Sequence, residues 1–560
     1  MLRSALLLTL ACCLVPAAAW ARDDNVKDLV VQLEKNKRDP FEQREREAAI
    51  RKLADLATPE AAEALVDVLD DPFEHLHDRV VSAWIQMLRS NRSGDLHTMF
   101  AQRLLGHRTA KVRCGAATAL GLSSGAEMAG DFRQALRTEK DAEVLVCLCQ
   151  GALNLREKPD LDGAFLPLLG NKSGAVVEAA ASACVRYETS DDVDDTLRKV
   201  LTRHRDPLAR AGALQALAAR GTLAASDFTE VFTDAAPEPR VALARSLPSP
   251  SPHLAVPGPG TDVLVALLGD DSWRVRVAAV QAALRLWNSA VVMPLIRRLE
   301  VETGRVREDV HRALVTITGA DVAPDAQLWT VWWAARGETF DPGERPEADA
   351  GGRIRFREPR DAAGKPGTKT VAFYDLPITS ERLVFVFDLS GSMGKDDGDA
   401  KGRSKLDVLR ERFAALLAEL PESTLVDVWV WRYPSSYPPK PKLERAFDRL
   451  QPLTAGNRAK AVRWMAKQEA KGWGAFFEPI EAALGEDIDT VVLLSDGVPS
   501  RGRYERRDRL LAEVAKANRY AGLRVDTILA GTKGTDRAFM DDLAASTGGR
   551  FRAVGKRDER

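Results

Sequence analysis

The sequence predicts a multidomain chain in which an all-α helical solenoid is followed by a doubly wound α/β domain. Three observations carry this expectation. An Ala-Leu-like pair returns at a near-constant interval between residues 45 and 320, short apolar runs alternate with amphipathic helices from Leu383 onward, and a Pro-, Gly- and charge-rich stretch separates the two patterns. The expected boundaries are 1–21 for a leader, 22–340 for the helical repeats, 341–372 for a linker and 373–555 for the α/β domain.

A chain of 560 residues is too long for one hydrophobic core and divides into several packed units. Its 80 basic and 81 acidic residues nearly cancel, so overall charge offers no attraction for nucleic acid or for a membrane surface. Arg3, an apolar run from Ala5 to Val15, Pro16 and the small residues leading to Ala19-Trp20-Ala21 have the layout of a cleavable secretory signal. The run is shorter than the ~20 residues that span a bilayer, and no later stretch is apolar enough to do so. Cleavage near Ala21 would leave an extracytoplasmic chain, periplasmic or secreted. A lipoprotein form is open through Cys12 and Cys13, although Cys12 stands where such sites want a small residue.

The helical half rests on its period. Ala119-Leu120, Ala152-Leu153, Ala183-Cys184, Ala216-Leu217, Ala283-Leu284 and Ala313-Leu314 follow one another at 33, 31, 33, 67 and 30 residues. The long interval is about two periods, and Arg240-Val241-Ala242-Leu243-Ala244 supplies the missing member. Such spacing means stacked helix pairs, none of which buries its apolar face alone. The openings His107-Arg108-Thr109-Ala110-Lys111-Val112-Arg113 and Asp270-Asp271-Ser272-Trp273-Arg274-Val275-Arg276 resemble HEAT-type repeats over about half of the chain, which implies a surface for macromolecular partners.

Cys114, Cys147, Cys149 and Cys184 remain after leader removal. Neighbouring helix axes usually lie 8–10 Å apart and a disulfide needs Cα atoms within about 7 Å, so buried free thiols are expected. No pair of Cys-x-x-Cys motifs and no His-Glu-x-x-His supports zinc. Gly121-Leu122-Ser123-Ser124-Gly125 matches a nucleophile elbow, but that motif needs a preceding strand. Here a repeat helix precedes it, and Gly121 is expected to end that helix. Trp329, Trp332 and Trp333 share one helical face and are expected to close the solenoid.

Past the linker, Leu383 to Phe387 is a continuous apolar run suited to a parallel strand buried on both faces. Lys405 to Leu420 then reads as an amphipathic helix. Leu425 to Trp431, Val491 to Leu494 and Val525 to Leu529 are further strands, with helices around 457–470, 504–519 and 537–546. In a doubly wound sheet, ligands bind beyond the carboxyl ends of the strands. Asp388, Ser390 and Ser392 fall there, as does Asp496 after the later strand. Carboxylates and hydroxyls together make an all-oxygen site for a hard cation such as Mg2+. No Gly-Lys pair is followed by Ser or Thr, so a phosphate-binding loop is not expected, and Asp396, Asp397 and Asp399 read as a solvated loop.

Phe385-Val386-Phe387-Asp388-Leu389-Ser390-Gly391-Ser392-Met393 and Val491-Val492-Leu493-Leu494-Ser495-Asp496-Gly497-Val498-Pro499 resemble von Willebrand factor type A (VWA) domains over about 175 residues. With the repeats, the chain resembles VWA proteins of the secreted bacterial type. The resemblance implies a Rossmann-like fold and a metal-ion-dependent adhesion site in which Ser390 and Ser392 bind the ion directly, while Asp388 and Asp496 hold it directly or through water. The family's Thr ligand falls at Gly474, within Gly472-Trp473-Gly474-Ala475, so water must replace one ligand of Mg2+, Mn2+ or Ca2+. With no catalytic constellation among the seven His, the expectation is an exported, non-enzymatic protein-interaction, adhesion or scaffold protein. A metal-free structural scaffold and an accessory subunit of an extracytoplasmic enzyme stay open.

Overall fold

The computed structural model describes residues 17–35, 43–91, 94–190, 192–248, 252–337, 339–348, 353–359, 371–395, 402–433, 442–530 and 534–554. The leader up to Pro16, the stretch 360–370 and the run Asp396, Asp397 and Asp399 lie outside them. The chain has a helical N-terminal region followed by an α/β region built on a mixed sheet. Described residues up to Phe165 form one compact unit, and those from Leu166 onward form a second.

In the first unit the helices Gln43–Leu56, Glu74–Ser90, Ala110–Ser123 and Ala142–Asn154 pack one on the next. In the second, Gly174–Tyr187, Pro207–Arg220, Pro237–Arg245, Trp273–Leu286 and Gly304–Thr318 do the same. The periodic pairs sit on these helices, where Leu120, Cys184, Leu217, Leu243, Leu284 and Leu314 are buried. A repeated ion pair accompanies them. The fourth residue of four of these helices is Arg113, Arg210, Arg240 or Arg276, and each Nε lies 2.6 Å from the carboxylate of Glu139, Asp234, Asp270 or Glu302, respectively. Each carboxylate stands just past the end of the following helix, and each arginine also donates to a carbonyl of the loop before its own helix. One guanidinium thus ties three segments of a repeat together.

Two expectations fail in the first unit, for one reason. Cys114 and Cys147 are joined by a disulfide, with their Cα atoms 5.3 Å apart. Gly121 does not end its helix, which continues to Ser123. A Cβ built on Gly121 would lie 2.4 Å from the Gly151 carbonyl oxygen, and one on Gly151 would lie 2.5 Å from that of Ala117. Facing glycines let the two helix backbones approach far closer than usual, and that approach brings the cysteines into bonding range. Among the described residues Cys149 and Cys184 take part in no disulfide, and both are buried, as expected. Ser123 lies at a helix end and donates to the Ile85 carbonyl at 3.4 Å, so the elbow-like motif has no preceding strand.

At the end of the helical region Trp329 is fully buried on the helix Ala326–Arg336. It meets Trp332 edge to face, and Trp332 and Trp333 both meet Phe340. The aromatic face is therefore largely satisfied by its own rings. Within the segment 353–359, Ile354 and Phe356 are also buried.

The α/β region contains β1 (Ala372–Phe373) and β2 (Leu376–Pro377), a short antiparallel pair. The main sheet comprises β3 (Arg382–Asp388), β4 (Leu425–Arg432), β5 (Lys442–Arg445), β6 (Gln451–Pro452), β7 (Thr490–Ser495), β8 (Arg524–Ala530) and β9 (Phe551–Val554). Its order is β5-β4-β3-β7-β8-β9, with β6 also pairing β4. Strands β4, β3, β7, β8 and β9 run parallel, whereas β5 and β6 are antiparallel to β4. Alternation in β3 sends Leu383, Phe385 and Phe387 to one face, against the helices Lys405–Glu419 and Ala455–Ala466. Val384 and Val386 face the opposite side, against Phe477–Leu484, Arg507–Ala517 and Gly534–Ser546. Helices on both faces explain why β3 and β7 read as unbroken apolar runs.

Within the second unit the helix Gly304–Thr318 is fastened to this sheet by charge. Glu308 contacts the guanidiniums of Arg524, at 2.7 Å, and Arg550. Arg305 donates to the Asp489 carbonyl, and Arg312 reaches the Gly548 carbonyl at 3.0 Å and Glu358 at 2.5 Å.

Candidate metal centre

Strand β3 is buried along its length and delivers Asp388 to its carboxyl end, 7 % exposed. The chain then turns back on itself. The Ser390 amide donates to Asp388 Oδ1 at 2.9 Å, as Asp side chains commonly do to the backbone two residues on. The 3-10 turn Gly391–Gly394, anchored by buried Met393, brings Ser392 beside Ser390 with their hydroxyls 2.9 Å apart.

Strand β7 lies parallel beside β3, with Phe387 opposite Leu494, so Ser495 arrives next to Asp388. Its hydroxyl donates to Asp388 Oδ2 at 2.6 Å. Asp496 follows, accepting from the Ser392 hydroxyl at 2.8 Å on Oδ1 and from Lys405 Nζ at 2.5 Å on Oδ2. From β3 the chain winds to β4 on one side, and the later strands β7, β8 and β9 lie on the other. That reversal leaves a crevice at the carboxyl ends of β3 and β7, where ligands of open α/β sheets bind. Asp388, Ser390, Ser392 and Asp496 all meet there.

The intermediate loop closes the same crevice. The Lys471 amide donates to the Leu389 carbonyl at 2.8 Å, the Gly391 amide donates to that of Gly472 at 3.2 Å, and the Gly474 carbonyl accepts from the amides of Ser500 and Arg501, each at 3.1 Å. Gly474 is thereby pressed against the aspartate, and a Cβ there would lie 2.6 Å from Asp388 Oδ2. A side chain at position 474 would therefore have no room unless Asp388 moved. Asp388 has little freedom to yield, because Ser390 and Ser495 hold both of its oxygens. Gly474→Ala is therefore expected to cost about 1–3 kcal/mol of stability, the usual range for overpacking. Chemical denaturation of the two proteins checks this, and an unchanged midpoint would show that Asp388 yields freely.

Burial drives the Asp388 carboxyl above the usual carboxylate range; the bonds from Ser495 and Ser390 oppose this shift, and the neighbouring Asp496 charge adds to it. A positive charge at this position would relieve both the burial and the repulsion. Among the described residues no three His, Cys, Asp or Glu side chains gather as a metal cluster, so an ion here would rest on two carboxylates and the serine hydroxyls. That donor chemistry fits Mg2+, which takes oxygen ligands and retains water.

Two residues at the site escaped the sequence reading. Ser495 was legible in Ser495-Asp496-Gly497 as the strand's last residue, but its role depends on the β3–β7 register. Lys405 left a subtler signal, being a cation at the first position of a helix, where the dipole disfavours one.

No protein-family model matches the chain, and no curated protein matches it. Among solved structures, the chain is weakly similar to the pilus adhesin SpaC from Lactobacillus rhamnosus GG, at TM-score 0.24 and 16% identity, over 31% of this chain and 29% of that one. A second is proximal thread matrix protein 1 from the mussel byssus, at TM-score 0.21 and 14% identity, over 31% and 41% of the two chains. A third is the Deinococcus radiodurans RO (RSR) protein, at TM-score 0.19 and 15% identity, over 91% and 90%. The matches thus span less than half of the adhesin and of the byssus protein. At these scores none of the three establishes a shared fold.

Proposed function

We propose that the chain is an exported, non-enzymatic interaction protein in which HEAT-like repeats and a VWA-like, Rossmann-type domain present surfaces for protein partners, the latter through a divalent cation. The observation that carries this reading is the meeting of Asp388, Ser390, Ser392 and Asp496 at the reversal of strand winding. The repeated Arg–carboxylate pair supports the repeat reading, because equivalent helices place equivalent side chains at equivalent joints. Export draws support from the Cys114–Cys147 disulfide, a bond kept in oxidising compartments. Among the described residues no helix is long and apolar enough to cross a membrane.

In this reading the hydroxyls of Ser390 and Ser392 hold Mg2+ directly, and the carboxylates of Asp496 and of Asp388, the latter tied down by Ser495, hold it directly or through water. The ion would supply an electrophilic point for an acidic group of a partner. A metal-free scaffold is the second reading, favoured by one observation: Lys405 already neutralises Asp496. Calorimetric titration of Mg2+ and Mn2+ into the full chain, with Asp388→Ala as control, separates the two. The cation reading expects heat that vanishes in the variant, and heat that survives Asp388→Ala, or none in either protein, sinks it.

A further inference from the structure

We infer that Lys405 is a built-in counter-cation of this oxygen cluster, holding it assembled without metal and competing with a divalent cation for Asp496. The inference rests on the cation reading above and specifies what limits that site.

Every oxygen of the cluster has an internal partner. Lys405 Nζ lies 2.5 Å from Asp496 Oδ2, the Ser392 hydroxyl lies 2.8 Å from Asp496 Oδ1 and 2.9 Å from the Ser390 hydroxyl, and both oxygens of Asp388 accept hydrogen bonds from Ser390 and Ser495. The Asp496 side chain is 5 % exposed and that of Lys405 20 %, so the pair is largely shielded from the water and salt that weaken exposed ion pairs. Two nearby carboxylates in so enclosed a place need a positive charge, and the ammonium provides one.

The position of Lys405 is costly elsewhere, which argues that the site explains it. It is the first residue of the helix Lys405–Glu419, where the helix dipole opposes a cation. The helix start does not depend on it, since Ser404 is the cap and accepts from the Asp407 amide. Its backbone is pinned to the Lys395 carbonyl at 3.1 Å, which closes the ligand loop and aims the side chain across the crevice toward β7. A divalent ion that uses Asp496, directly or through a water, meets the ammonium as a like charge and must displace it. Gly474 adds no donor in exchange. Lys405 thereby sets the cation affinity low and leaves the apo site intact.

The test compares the full chain with Lys405→Met, Lys405→Gln and Lys405→Arg, all purified in Mg2+ and then stripped. Mg2+ and Mn2+ are titrated by calorimetry, and thermal midpoints are read in EDTA and in Mg2+. The two neutral variants should bind at least tenfold more tightly than the parent chain, whereas the arginine variant should not. In EDTA the neutral variants should melt below the parent, and Mg2+ should restore them, a rescue that loss of a mere surface ion pair would not show. Unchanged or weaker binding in both neutral variants, alongside Asp388-dependent binding by the parent, overturns the lysine's role and leaves the cation reading standing. Absence of Asp388-dependent binding from every protein removes both.

Discussion

Glu308→Gln is expected to lower the unfolding free energy of the second unit by about 3–5 kcal/mol, the usual cost of removing one partner from a buried ion cluster. The Glu308 side chain is 10 % exposed and touches Arg524, 1 % exposed, and Arg550, 13 % exposed, while Thr379 donates to the same carboxylate. Asp309 and Asp526 stand 3.7 Å and 3.4 Å from the Arg524 guanidinium, so Glu308 is not its sole counter-charge. Arg550 keeps Glu358, at 2.8 Å and with a side chain 47 % exposed, and the buried Asp526, which also accepts from its amide. Neutralising Glu308 therefore removes the carboxylate that two enclosed guanidiniums share and leaves them with more distant or more exposed counter-charges.

The same variant should change the response to acid. Burial alone would raise the Glu308 pKa, but Arg550, Arg524 and Arg312 more than reverse this and hold the carboxyl far below its ordinary value. A carboxyl whose folded pKa is depressed contributes its full stability above the unfolded value of about 4.3 and loses it as pH falls from there toward the folded value. The parent should lose stability steeply below about pH 4, and Glu308→Gln should show a shallower decline. Equilibrium denaturation at several pH values reads both effects, and two parallel curves would contradict the acid part. Because the cluster joins the helix Gly304–Thr318 to β8 and the segment around Arg550, the variant's helical and sheet signals should fall together.

How much of this was visible in the sequence follows from where each interaction is encoded. The helical region is legible because each helix carries its own burial pattern, and a period survives local irregularity. Strands β3, β4, β7 and β8 were legible because their apolar runs are set by burial on both faces. Strand β5, Lys-Leu-Glu-Arg, was not, because an edge strand with partly exposed residues has no need of an apolar pattern. Strands β6 and β9 are too short to show any period. The site's first four residues lie on two local motifs, so sequence reading reaches them. Lys405 and Ser495 act only through the fold, and the buried cluster around Glu308 joins residues more than 200 positions apart, as in the Arg524 pair. The Cys114–Cys147 bond is not legible in the sequence, because the facing glycines Gly121 and Gly151 bring this helix pair closer than typical helix spacing.

That bond yields the second large expectation. Cys114→Ser or Cys147→Ser should destabilise the first unit by about 2–4 kcal/mol, because the bond closes a loop with a sequence separation of 33 and removes disorder from the unfolded chain. Native geometry should change little, since the close approach of the two helices is set by Gly121 and Gly151 and does not need the sulfur bridge. The chemistry of the other thiols makes the measurement clean. Cys149 and Cys184 are buried, and burial pushes the Cys149 thiol up to about 12, far from the thiolate that reacts with alkylating reagents. Cys114 and Cys147 are each partly exposed. The folded, oxidised protein should therefore take up almost no label. Mild reduction should expose two reactive thiols at Cys114 and Cys147, with a lowered denaturation midpoint in the first unit. Rapid labelling of Cys114 in unreduced folded protein would show the bond to be absent and, with it, the support it lends to an oxidising location.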